Sequence, residues 1–126
     1  MPSGDDVRVA TAVNVTSINT NPGSCYAQAR GTEFVGVQIK ARFGALWTDG
    51  QAERVGFTTV LPPNAPSCVN DANVNADSNG GVLNPSSHHP GGVSATFADG
   101  SVRFVNQNIN CGNTAAPPVT TNTGKS

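Results

Sequence analysis

Lysine, glutamate, leucine and methionine are all scarce in this chain. Among 126 residues, Lys40 and Lys125 are the only lysines, Glu33 and Glu53 the only glutamates, and there is one Met. Helices are built largely from these residue types, so their scarcity beside abundant Val excludes a helical bundle. No run of about 18 apolar residues exists, which excludes a transmembrane span. Charged residues make up only 12% of the chain, and a net charge of -1 leaves no basic face for nucleic acid. The three cysteines, Cys25, Cys68 and Cys111, include no C-x-x-C pair, so a zinc ribbon or a thioredoxin-type site is unsupported.

Gly, Pro, Asn, Ser and Thr take up the space instead, filling nearly half of the chain. The apolar stock is mainly Val and Phe with Trp47 and Tyr26, a thin core for one domain of this length. This composition predicts a mostly β (α+β) domain: an antiparallel sheet with hairpins, long loops and little helix. The expected domain covers residues 1–112, with 113–126 an extended or disordered Thr/Pro/Ala tail. A covalent staple would help so thin a core. Cys25 and Cys68 both follow Pro-Ser-rich segments, where a surface disulfide is easily accommodated, and we expect a Cys25–Cys68 bridge. Three reduced, buried cysteines are the alternative.

Val7 to Val15 alternates with period two, as does Phe34 to Phe43, where Val35, Val37, Ile39, Ala41 and Phe43 share a face. Both read as strands. Tyr26 to Arg30 suits one helical turn, and Asp49-Gly50 a hairpin tip before a strand from Val55 to Leu61. Residues 62–92 read as one long loop, which in a compact domain is usually functional or mobile.

Asp99-Gly100, set between alternating residues, is the sharpest local signal. A two-residue type I′ turn would pair Phe97 with Val102 and Ala95 with Phe104, placing Val93, Ala95, Phe97, Val102 and Phe104 on one apolar face. Upstream stands His88-His89-Pro90-Gly91-Gly92, so that nine residues separate His89 from Asp99-Gly100. With Asn21-Pro22-Gly23-Ser24-Cys25, Arg42-Phe43-Gly44, Trp47 and Phe57 to Asn64, this pattern resembles the bacterial prepilin-like H-X9-DG domain family over about residues 20–112.

The resemblance implies a pilin-like globular domain of an exported, pseudopilin-like protein of the cell envelope or surface. Its expected role is non-enzymatic and structural, with protein partners in a pilus-like or secretion-type assembly, including copies of itself. The family's usual leader and hydrophobic anchor helix are not seen. The chain is therefore expected to be a C-terminal portion without membrane contact of its own.

The chemistry of individual residues is thin. No G-x-S-x-G elbow and no phosphate-binding glycine pattern occurs, and neither glutamate has a recognisable partner. His89, Pro90, Gly91, Gly92, Asp99 and Gly100 are expected to serve the fold, because a strand separates His89 from Asp99. Asp71, Asn73, Asn75, Asp77 and Asn79 alternate on a flexible stretch and form a candidate calcium loop, although the bidentate Glu of an EF-hand is missing. Asn and Asp also populate loops for their turn chemistry alone. The rival function is an extracytoplasmic module binding a solute, a glycan or calcium, with Trp47 or Tyr26 as an aromatic platform.

Overall fold

A computed structural model describes residues 5–78 and 80–118. The architecture is mostly β with little helix. Its strands are short: β1 Thr11–Ala12, β2 Ala29–Arg30, β3 Glu33–Phe34, β4 Ile39–Lys40, β5 Ser67–Val69, β6 Gly81–Val82, β7 Gly92–Thr96 and β8 Val102–Asn106. One four-residue helix, α1, covers Ala52–Val55, and two 3₁₀ helices cover Thr16–Asn19 and Pro22–Gln28. The central sheet has the order β4-β1-β5-β6. Its β1–β5 pair is parallel and the other two pairs are antiparallel. β2 with β3 and β7 with β8 form separate antiparallel pairs.

The first alternating segment supplies the core, but only two of its residues are regular strand. Asn14 adopts a left-handed backbone (φ 61°), which ends the ladder without ending the contact. Val13 N–H still donates to Gln38 O at 2.9 Å, and Val15 N–H to Val69 O at 3.0 Å. Val7, Ala10, Ala12, Val15 and Ile18 are buried against Phe34, Leu61 and Val82. Val13, Val69 and Leu83 form a second, smaller cluster.

The expected strand over Phe34–Phe43 is broken at Gly36, which turns the chain at φ +69°. The expected apolar face holds only in its middle: Val37 and Ile39 pack half-buried against the core, but Phe34 and Lys40 of the opposite parity are buried, while Val35 and Phe43 face outward. Asp49-Gly50 is not a hairpin tip, and α1 stands where the expected strand begins. The stretch 62–92 is not a single loop either. It carries β5 and β6, two strands of the central sheet. Gly81 allows that pairing, since a Cβ there would stand 2.6 Å from Cys68 O.

The Cys25–Cys68 disulfide is present, with the two Cα atoms 5.9 Å apart. The expectation of a surface bridge between loops is corrected. Cys25 lies in the second 3₁₀ helix, Cys68 lies in β5, and both are fully buried. Buried side chains fill the space around the sulfurs, so the bridge forms part of the core it was expected to supplement.

The Asp99-Gly100 hairpin forms, but its register is shifted by one residue. Thr96 pairs with Val102, Ala95 with Arg103 and Ser94 with Phe104. Phe97 O accepts from Gly100 N–H at 2.9 Å, and Phe97 N–H donates to Ser101 O at 2.8 Å. This is a three-residue loop ending in a bulge, with Gly100 at φ +81°. The expected apolar face is therefore divided. Val93, Ala95, Phe97, Arg103 and Val105 lie on one side, Ser94, Thr96, Val102 and Phe104 on the other. Arg103 covers part of the exposed Phe97, its guanidinium 4.8 Å from the ring centre.

Residues 113–116 form a turn, with Ala116 N–H donating to Asn113 O at 3.2 Å, in which Thr114 O accepts from Gly23 N–H at 2.8 Å. Residues 119–126 of the expected tail lie outside the described residues. Among the described residues no helix is long and apolar enough to cross a membrane.

Candidate functional site

Two places gather the residues singled out by the sequence. One is a groove of about 600 Å³ at the base of the β7–β8 hairpin, lined by Arg8, Tyr26, Pro62, Pro63, Asn64, His88, His89 and Gln107 among others. Asn64 builds it. With a left-handed backbone (φ 64°), its amide accepts from Ser87 N–H at 2.8 Å and donates to Gln107 Oε1 at 3.0 Å. The Pro62-Pro63-Asn64 turn is thereby tied to both the histidine segment and the end of β8. Gly91 O accepts from Gln107 N–H at 2.8 Å and closes the hairpin base.

Gly92 has no alternative at its position. Its φ is +155°, and a Cβ would stand 2.1 Å from Val105 O. Gly91, at φ +88°, makes the bend before it. Asp99 sits at the far tip, where Oδ1 accepts from Ser101 N–H at 2.9 Å. Hydrogen bonding to Ser101 holds its carboxyl below the ordinary value. Five residues of β7 separate tip from base, roughly 17 Å of extended chain, so His89 and Asp99 are not brought together.

His88 and His89 are both exposed, and among the described residues neither imidazole has a hydrogen-bond partner. Ser87 Oγ accepts from His89 N–H at 3.0 Å, so the serine is bonded to backbone and not to an imidazole base. Asp6, behind the groove, is held by Arg8 at 2.5 Å. That bond with the guanidinium lowers the pKa of Asp6 against the opposing effect of burial. This arrangement offers surfaces for contact, and no carboxylate orients either histidine for proton transfer.

The second place is the stretch 71–78. Its oxygen atoms do surround a cation, and that cation is the ammonium of Lys40. Lys40 Nζ donates to Ser78 Oγ at 2.7 Å, Ala76 O at 3.0 Å and Asn73 O at 3.4 Å, and lies 3.0 Å from Glu53 Oε2. Glu53 Oε2 also accepts from Ser78 N–H at 2.5 Å.

The candidate calcium donors have separate partners. Asp71 accepts from Ser78 Oγ and from Asn73 N–H, and lies 3.9 Å from Lys40 Nζ; the serine hydroxyl is the main cause of its lowered pKa. Asn73 Oδ1 accepts from Asn75 N–H at 2.9 Å, a local turn bond. Asp77 pairs with Arg54 at 3.1 Å and Arg42 at 3.6 Å. Asn79 lies outside the described residues. Among the described residues no three His, Cys, Asp or Glu side chains are grouped to hold a metal.

Sequence reasoning did not find the Lys40–Glu53 pair. The available signal was scarcity, since a chain with so few lysines and glutamates still carries one of each in its two central segments. It named Trp47 and Tyr26 as an aromatic platform but not the extent of the exposed aromatic set. Phe34 is buried, but Tyr26, Phe43, Trp47, Phe57, Phe97 and Phe104 are all exposed, Trp47 to 89%.

A disulfide-clipped α+β domain with a mixed central sheet and an outward-facing aromatic set is the class that fold and site define. Residues 8–112 match the family described as "Protein of unknown function (DUF1559)", and the chain belongs to that family. No curated protein and no solved structure matches it.

Proposed function

We propose that this chain is the non-enzymatic contact domain of an exported, prepilin-like protein of the cell envelope or surface, working by binding other protein chains. The observation that carries this reading is the exposure of six of the seven aromatic residues. Aromatic side chains dominate interface energetics and are enriched where proteins meet. A domain with a thin core that leaves Trp47, Phe57 and Phe104 outside has most of its aromatic area available for a partner. The buried Cys25–Cys68 bridge supports an oxidising compartment. The pattern from His89 to Gly100 supports the prepilin-like assignment.

The test is photo-crosslinking in the producing cell. A benzophenone side chain at position 47 is expected to capture protein, while the same group at exposed Thr96 captures much less. Equal, background-level capture at both positions would overturn the reading. A solute- or glycan-binding role is the second reading, favoured by the amide and tyrosine groups of the groove. A thermal-shift screen of the whole chain with calcium and with oligosaccharides decides it. A saturable rise in Tm supports the second reading, and no shift removes it.

A further inference from the structure

Lys40 and Glu53 are placed as the two reactants of a condensation. Nζ and Oε2 lie 3.0 Å apart, on side chains 2% and 0% exposed, one carried by β4 and the other by α1. In water an amine and a carboxylic acid are both ionised at neutral pH and do not join. Burial works against those charges, because two ions taken out of water are costly to keep. Contact also removes the entropy cost of encounter, which in well-oriented pairs is worth effective molarities of about 10⁵–10⁸ M. An amide would replace both charges with one neutral group. The water it releases has a short way out, since Asp71, 3.9 Å from Nζ, has a side chain 40% exposed.

We propose that Lys40 and Glu53 condense within the folded protein to an Nζ–Cδ amide, a self-made crosslink between β4 and α1. The ion pair is the reactant carried by freshly folded protein, and the crosslink accumulates with time. A proton passes from Nζ to the carboxylate, leaving a neutral amine and a neutral acid. Ser78 N–H, 2.5 Å from Oε2, holds that atom as the carbonyl. The acid proton therefore falls to Oε1, which has no partner among the described residues. The nitrogen lone pair bonds to Cδ while the C=O pair moves onto Oε2, where Ser78 N–H stabilises the developing charge as in an oxyanion hole. The carbonyl then re-forms, the Cδ–Oε1 bond breaks, and Oε1 leaves as water with a second proton from the nitrogen. Nothing is oxidised or reduced, and no co-reactant is needed. In the product the remaining N–H keeps Ala76 O, 3.0 Å from Nζ, and the carbonyl keeps Ser78 N–H.

The crosslink closes residues 40–53 into a ring that carries Phe43, Leu46 and Trp47, all exposed. It fixes the base of that segment whatever Trp47 meets, so the inference does not depend on the contact-domain reading. Intact-mass spectrometry of the purified full chain, with its disulfide reduced, tests it on fresh and long-incubated samples. Wild type is expected to show a species lighter by one water, growing with incubation of the folded protein and not forming in urea. Trypsin locates the bond. Acylated Lys40 no longer admits cleavage, so peptide 31–42 is expected to be joined to peptide 43–54.

Two variants separate this bond from other losses of water. Lys40→Arg offers no amine nucleophile, and Glu53→Gln can condense only with loss of ammonia, so neither is expected to lose water. Dehydration at Asp49-Gly50 or Asp99-Gly100 gives the same mass change, but it leaves Lys40 cleavable and survives in both variants. Three results would overturn the inference: a wild-type mass unchanged across the whole series, a water loss undiminished in Lys40→Arg, or a peptide 31–42 joined to 55–103 and hence to Asp71. The wild-type peptide map decides by itself if either variant fails to fold.

Discussion

Lys40 has five oxygen neighbours within 4 Å and almost no solvent, with its side chain 2% exposed and that of Glu53 fully buried. Taking two such charges from water is costly, and their attraction offsets that cost only with further hydrogen bonds. Ser78 and the carbonyls of Asn73 and Ala76 supply those bonds to Lys40, whereas Glu53 Oε1 has no partner among the described residues. Removing one member leaves the other charged and buried. Lys40→Met is expected to cost about 3–5 kcal/mol. Lys40→Met with Glu53→Leu should cost much less, because no orphan charge remains. Urea unfolding of the three proteins checks this, and equal losses in the single and double variants would contradict it. In a regular strand the alternation of Val35, Val37 and Ile39 would put Lys40 on the face opposite the apolar one. Gly36 undoes the period, and the chain resumes with the polar residue inside.

The acidic residues give a second expectation of the same kind. Asp6, Asp71 and Asp99 all have carboxyls held below the ordinary value of 3.8, chiefly by bonds from Arg8, Ser78 and Ser101. A carboxylate whose folded pKa is depressed stabilises the fold above its unfolded value, and that contribution is lost as pH falls through the folded one. Stability is therefore expected to be level with respect to these groups near neutrality and to decline below about pH 4. The decline should be smaller in Asp6→Asn, measured as Tm against pH.

At the scale of elements, the β7–β8 hairpin shows what a short motif can and cannot specify. Asp99-Gly100 marks a turn, and a turn is there. A two-residue type I′ loop needs positive φ at both central positions, which would force Asp99 into left-handed backbone. The three-residue loop needs it only at Gly100, which has no Cβ to resist. The chain takes the less strained loop, and the register moves by one, transferring Val102 and Phe104 to the opposite face. The cost of that choice falls on Gly100. Gly100→Ala should destabilise by about 1–2 kcal/mol, visible as a lower Tm. Gly92→Ala should lose more, since backbone strain adds to a collision with Val105 O. The groove was half legible: its histidines and prolines were in the motif, but the Asn64 bonds joining them span sequence separations that no local pattern encodes.

Over the whole molecule, short strands and a small apolar cluster leave stability dependent on a few long-range ties. The Cys25–Cys68 bridge is the strongest of these. It links the second 3₁₀ helix to the central strand β5 across a sequence separation of 43. Constraint of the unfolded chain by a loop of that length is worth about 4 kcal/mol on the chain-entropy estimate. For a domain of this size that corresponds to roughly 15 °C in Tm. The pairing was expected because Cys25 and Cys68 each follow a Pro-Ser-rich segment, but their depth was not legible, because β5 was hidden within an Asn- and Pro-rich stretch. Depth changes the expected behaviour. Both sulfurs are shielded by core side chains, so a reductant must wait for the domain to open. Folded protein in dithiothreitol should keep its bridge for as long as it stays folded, and mild denaturant should accelerate reduction in step with unfolding. Cys25→Ser with Cys68→Ser should melt well below wild type even without reductant. Rapid reduction of the native protein, or a double variant with unchanged Tm, would show that the sheet and its polar Lys40 centre hold the fold unaided.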